Sequence, residues 1–164
     1  MIEVVALFFD GTDLAARVLG DLRHDAPDDW TWLEDVAVVE RHHSGRVATH
    51  LTHGGSVTEG TAIGVVTGAL VGLVFPPASL GALAVLAGAA GAGIEKLRKD
   101  TELPAGVASE IQTRLTKGSS ALVLVGETAD VNVLDAATMQ FAVRDRLRQT
   151  LPDDVVDGMT GRFA

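Results

Sequence analysis

Residues 2–9 are apolar at every position except Glu3, so a strand there carries Val4, Ala6 and Phe8 on one face and Val5, Leu7 and Phe9 on the other. Asp10-Gly11 closes it. Leu14, Val18, Leu19 and Leu22 then recur at helical spacing and predict a helix over residues 13–24, capped by Thr12 or Asp10. Residues 25–29, with Pro27, read as a loop. A second strand is predicted over 34–42 around Val36, Val38 and Val39, with Ser44-Gly45 as a two-residue turn and a return strand over 46–52. Far down the chain, Leu103, Val107, Ile111 and Leu115 form one helical stripe that starts at Thr101-Glu102 and that Gly118 ends. Ala121 to Val125 is the most apolar strand, with Ala121, Val123 and Val125 set against Leu122 and Leu124. Asp130 is expected to cap a last helix running to Thr150, before Pro152, and the final dozen residues read as a loose tail.

Between these halves the pattern changes. From Thr61 to Ile94 there are 34 residues without a charged side chain, broken by Pro76 and Pro77. Small residues recur at four-residue steps: Gly60, Gly64, Gly68 and Gly72, then Ala84, Gly88 and Ala92. Two helical legs, 57–75 and 78–94, would each be about 25–29 Å long, close to the hydrocarbon thickness of a bilayer. A glycine costs about 1 kcal/mol relative to alanine in a water-exposed helix, so the stripe implies close backbone packing that offsets the loss. Lys96, Arg98 and Lys99 follow the segment, as expected on a cytoplasmic side of a membrane. Against a full crossing stand the alanine- and glycine-rich second leg and a tip, Phe75 to Ser79, with no charge to hold it in water. The segment reads as a hairpin that contacts or re-enters a membrane, or as the shared centre of a soluble homo-oligomer such as a ring or shell. A soluble core hairpin is the plain alternative.

Without that insert the order is strand, helix, strand, strand, helix, strand, plus a C-terminal helix. This predicts an α+β fold, a ferredoxin-like antiparallel sandwich with an inserted glycine-rich helical hairpin and an extra C-terminal helix. The expected divisions are 1–56 and 100–150 for the body, 57–99 for the hairpin and 151–164 for the tail. Such a sheet is normally bare on one face, yet both central strands are apolar on both faces. The second face therefore needs a cover: another subunit, the glycine-rich hairpin or the C-terminal helix.

The net charge of -9 argues against nucleic acid as a partner. With 47% hydrophobic and 21% charged residues the chain is not a disordered one, and 164 residues suit one domain with an insertion. Zero cysteines exclude disulfides and thiolate chemistry. The opening Met1-Ile2-Glu3 lacks the basic start of an export signal.

No catalytic, cofactor-binding or metal-ligating set is expected. His42, His43, His50 and His53 cluster in sequence, but a two-residue turn sets His50 opposite Val39 and leaves His43 about 13 Å from His50, so a solvated edge is the plain reading. Gly88, Gly91 and Gly93 lack the strand and the Lys-Ser or Lys-Thr of a phosphate loop. Lys117-Gly118-Ser119-Ser120 reads as a helix terminator before a strand. Trp30 and Trp32 alternate at strand spacing and are candidates for a lipid interface, a subunit contact or the cover of a sheet edge; Lys96, Arg98 and Lys99 are further interface candidates. Arg144, Arg146 and Arg148 are placed on the last helix, in salt bridges with acids such as Asp145 or against anionic lipid.

Several stretches resemble a bacterial family of small, uncharacterised glycine-zipper proteins described as membrane proteins of unknown function and related to general stress proteins. They are Phe8-Phe9-Asp10, Leu33 to Val39 with the Gly45 turn, Thr49 to His53, and Gly118 to Val125. The resemblance implies a ferredoxin-like body carrying a zipper hairpin, a stress-linked role and no catalytic residues.

Overall fold

The computed structural model describes residues 1–51 and 105–156. Strands β1 (Ile2–Asp10), β2 (Ala37–Arg41), β3 (Val47–Leu51), β4 (Ser119–Glu127) and β5 (Asp145–Thr150) form one antiparallel sheet in the order β3-β2-β4-β1-β5. The described helices are α1 (Leu14–Asp25), a 3-10 helix (Thr31–Asp35), α2 (Ala105–Arg114) and α3 (Thr128–Ala137). The fold is therefore a mixed α+β arrangement built on a five-stranded antiparallel sheet.

β1 and β4 are the centre of the sheet, paired from Ile2 opposite Glu127 to Asp10 opposite Ser119. Their alternation sorts residues as the sequence predicts. Val5, Leu7, Phe9, Leu122 and Leu124 join Val18, Leu19 and Leu22 of α1, Trp32 and Leu33 of the 3-10 helix, and Val131 and Leu134 of α3 in one core. Val4, Ala6, Phe8, Ala121, Val123 and Val125 join Val107 and Ile111 of α2, then Leu115, Leu151 and Val155, in a second core. Both faces are thus filled from within the chain. The cover of the second face is α2 together with Leu151 and Val155, the latter on a helical turn over residues 153–156.

The predicted C-terminal helix is corrected. Its first half is α3, whose C-cap is Thr138, with the hydroxyl donating to the Leu134 carbonyl at 2.9 Å. Residues 145–150 are β5, lying antiparallel to β1 with Val5 opposite Arg148 and Leu7 opposite Arg146. Arg, Leu and Gln rank among the better helix formers, but by small margins, and a central strand apolar on both faces has backbone groups on both sides to pair. Satisfying β1 outweighs local preference. Capping also differs from expectation: the N-caps are Asp13 for α1 and Glu127 for α3, and neither makes a side-chain cap bond.

Candidate functional site: the root of the uncharged segment

Gly60, Gly64, Gly68, Gly72, Pro76, Pro77, Ala84, Gly88, Ala92, Lys96, Arg98 and Lys99 lie outside the described residues, as does His53. The described part shows where that segment departs and returns. β3 ends at Leu51, level with Ala37 and, through Val123, with Ala6; it runs away from the end of the sheet marked by Asp10 and Ser119. α2 finishes at that Asp10 end, so its first residues come from the opposite direction. Both attachment points therefore point toward the end of the sheet that holds Ile2, Glu127 and Leu151.

The C-terminal end of α2 is clamped to the sheet. Its last carbonyls lack intrahelical donors and carry the negative end of the helix dipole. Arg41, on the second face of β2, donates from Nη1 to the Leu115 carbonyl at 2.9 Å. Arg144 donates to the Arg114 carbonyl, to Thr116 Oγ1 at 3.0 Å and to Asp10 Oδ1 at 2.9 Å. Arg114 in turn reaches Asp145 Oδ1 at 3.2 Å and the Arg146 carbonyl at 2.9 Å. Gly118, at φ +77, then turns the chain into β4, with its N–H donating to the Arg41 carbonyl at 2.7 Å. That confirms the helix-terminator reading of this stretch. The Nε of Arg41 is buried without a hydrogen-bond partner, a cost the clamp carries.

Of the three arginines expected on a helix, Arg146 and Arg148 alternate along β5 and Arg144 lies just before it, and their partners are not helical neighbours. Arg146 pairs with Asp135 of α3, and Arg148 donates from Nη2 to Glu3 Oε2 at 2.7 Å. The Arg148 guanidinium holds the Glu3 carboxyl below its ordinary value, against the opposing effect of burial. Burial, and then the nearby Glu127, push the Asp130 carboxyl up.

The tryptophans are not on a strand. The 3-10 helix places Trp32 in the first core and leaves Trp30 half-buried, with ring centroids 5.6 Å apart. Trp30 forms a shallow, open groove with Asn132, Val133, Ala136 and Ala137 of α3.

The histidine hairpin differs by one residue. His42 N–H donates to the Arg46 carbonyl and Gly45 N–H to the His42 carbonyl, both at 2.9 Å, so the turn has three residues with Gly45 at φ +88. His50 consequently faces Val38, not Val39. On that face the Nε2 atoms of His42 and His50 approach Glu40 Oε2 at 3.8 and 3.5 Å. Among the described residues no group of three or more His, Cys, Asp or Glu side chains could hold a metal ion. Among them, too, no helix is long and apolar enough to cross a membrane.

Sequence reasoning missed the α2 clamp and the Glu3–Arg148 pair. A usable signal existed for β5: Arg146 and Arg148 flank Leu147 at period two, the pattern of a guarded edge strand.

A family of proteins of unknown function, DUF1269, matches residues 61–161. The matched region begins where the charge-free run begins and takes in α2, β4, α3 and β5. Comparison with curated proteins and with solved structures gives no match.

Proposed function

We infer that this chain, which belongs to the DUF1269 family of proteins of unknown function, is a non-enzymatic, self-associating protein whose uncharged glycine-rich segment packs against other copies while contacting a membrane. One observation carries the reading. Among the described residues, helices cover both faces of the central strands, β3 leaves toward and α2 enters from the same end of the sheet, and the charge-free run lies between them in the sequence. Among the described residues β1, β4 and the start of β2 are buried on both faces, which favours a partner outside the body for the segment's apolar surface. The register of Gly60, Gly64, Gly68 and Gly72 fits helix–helix contact. Lys96, Arg98 and Lys99, just before α2, favour the cytoplasmic face of the cell membrane.

The connectivity supports a ferredoxin-like body, though not on the elements that the chain order suggests, since it leaves out β3 and α2 and takes in β5. With β3 and α2 set aside, the units β1-α1-β2 and β4-α3-β5 interleave, each with one strand of the other between its own pair. A stress-linked role rests on the resemblance alone.

Detergent-free lysis followed by ultracentrifugation tests lipid contact. The protein is expected in the membrane pellet, and complete recovery in the supernatant rejects that reading. Gly64→Leu and Gly68→Leu are expected to weaken assembly, read as particle mass with and without detergent; unchanged mass in both rejects the zipper.

A soluble homo-oligomer is the second reading, favoured by the charge around the root. Glu127, Asp153 and Asp154 are exposed at the Ile2 end, and α1 runs toward the same end before Asp25, Asp28 and Asp29. Such carboxylates repel an anionic lipid surface. A supernatant protein of fixed multimeric mass is its expected signature.

A further inference from the structure

The two edges of the sheet are built differently, and one of them matches itself. The His42 to Arg46 bond makes those residues a hydrogen-bonded pair. Pairs alternate along an antiparallel ladder, so Ala48 and His50 bond inward to β2, while Val47, Thr49 and Leu51 turn their N–H and C=O groups away from β2. Among the described residues β2 is the sole strand neighbour of β3. On the far side, the Leu151 N–H to Ile2 carbonyl bond fixes the alternation of β5. Asp145, Leu147 and Gln149 bond to β1, and Arg146, Arg148 and Thr150 turn outward.

The geometry points to a homodimer in which β3 pairs antiparallel with β3 of a second copy across a twofold axis at Thr49. In that register Val47 faces Leu51 of the other copy, Thr49 faces Thr49, and all three outward-facing residues of each strand bond across the axis. Ala48 and His50 form the intervening non-bonded pairs. β3 contains no Asp, Glu, Lys or Arg, so no such like charges meet, and threonine opposite threonine is a favourable cross-strand pair. The equivalent self-pairing of β5 sets Arg148 against Arg148, which guards that edge. A second copy is thus the partner whose backbone pattern, length and charge the β3 edge fits. This contact lies in the described body and is separate from the glycine-rich segment; it deepens the self-association proposed above by adding a second, independent interface.

The chain has no cysteine, so a single introduced thiol reports on one position. At a bonded antiparallel pair the Cα atoms lie about 5.5 Å apart, within disulfide range. The full-length chain carrying Thr49→Cys, purified in mild detergent and treated with a mild oxidant, is expected to form a covalent dimer about tenfold faster than Thr150→Cys on the other edge. Equal rates, or no link at 49, overturn the proposal. Thr49→Lys places like charges across the axis and is expected to raise the dimer dissociation constant about tenfold in sedimentation, with circular dichroism unchanged. An unaltered constant in a folded Thr49→Lys protein overturns it as well. Adding Gly68→Leu to Thr49→Cys separates this interface from the segment. The link is expected to persist; its loss makes the edge contact a by-product of segment packing and overturns its independence. Persistence of the link alongside unchanged mass in the glycine variants would reject the zipper alone.

Discussion

The two faces of the sheet are equally apolar on β1 and β4 but are covered by different kinds of element. The first face is closed by α1, the 3-10 helix and α3, each joined to the sheet by a short connection. The second is closed by α2, which returns from the uncharged segment, and by Leu151 and Val155. One cover is local and self-contained. The other cover is joined to β4 by residues 115–118 but follows the uncharged segment in the chain, and arginines fix its C-terminal end to the sheet. The segment joins the body at two points, directly at β3 and through α2.

Phe8 and Phe9 give the sharpest test, because they are adjacent, both 0% exposed, and point into opposite cores. Phe8→Ala and Phe9→Ala are each expected to cost about 3–5 kcal/mol in urea unfolding. A Phe8→Ala cost below half that of Phe9→Ala would show the second cover to be loose. Glycines give the next contrast. Gly118 sits at φ +77 with the His43 ring where a Cβ would go, so Gly118→Ala is expected to cost about 1–2 kcal/mol. Gly20, exposed in the middle of α1, has nothing near an added Cβ, so Gly20→Ala is expected to stabilise by about 0.5–1 kcal/mol. Thermal unfolding of both variants checks the opposite signs. Arg144→Met removes donors from the end of α2 and is expected to cost about 1 kcal/mol, with faster amide exchange in α2 and none of that change in α1.

The smallest expected effects depend on pH. Because Arg148 lowers the Glu3 carboxyl in the folded chain, that pair's contribution is complete above the ordinary carboxylate range and is lost as pH falls through the depressed folded value. Glu3→Gln is expected to lower the melting temperature near neutrality and to match the parent in acid. Asp130 has the opposite sign, since its raised folded value favours the protonated form. Asp130→Asn is expected to raise the melting temperature near neutrality and to lose that advantage on acidification. Both changes are expected to stay below about 1 kcal/mol, because Arg148, the partner of Glu3, and Asp130 each keep part of the side chain in solvent.

Much of the body is readable from residue pattern. β1, α1 and β4 are where periodicity places them, and the double-sided burial of Val4 to Phe9 follows from alternation alone. The misreadings share a cause. Residues 145–150 read as helix because their one apolar residue, Leu147, carries too little pattern to outweigh propensity, and their strand form exists only beside β1. Trp30 and Trp32 read as strand because two residues at period two cannot distinguish a strand from a 3-10 turn. The hairpin register slipped by one because the turn length depends on which pair closes it, here His42 with Arg46.

Residue order alone determined that two central strands would be buried on both sides, that helices of ordinary amphipathic spacing would flank them, and that a charge-free, glycine-striped run would separate the halves. Tertiary structure decided which element fills each face, which strand closes β1, and where each arginine finds its carboxylate or carbonyl. Alternation and helical period are properties of a few consecutive residues, whereas strand pairing and helix anchoring depend on groups more than a hundred residues apart, as in Glu3 with Arg148, whose meeting no local pattern encodes.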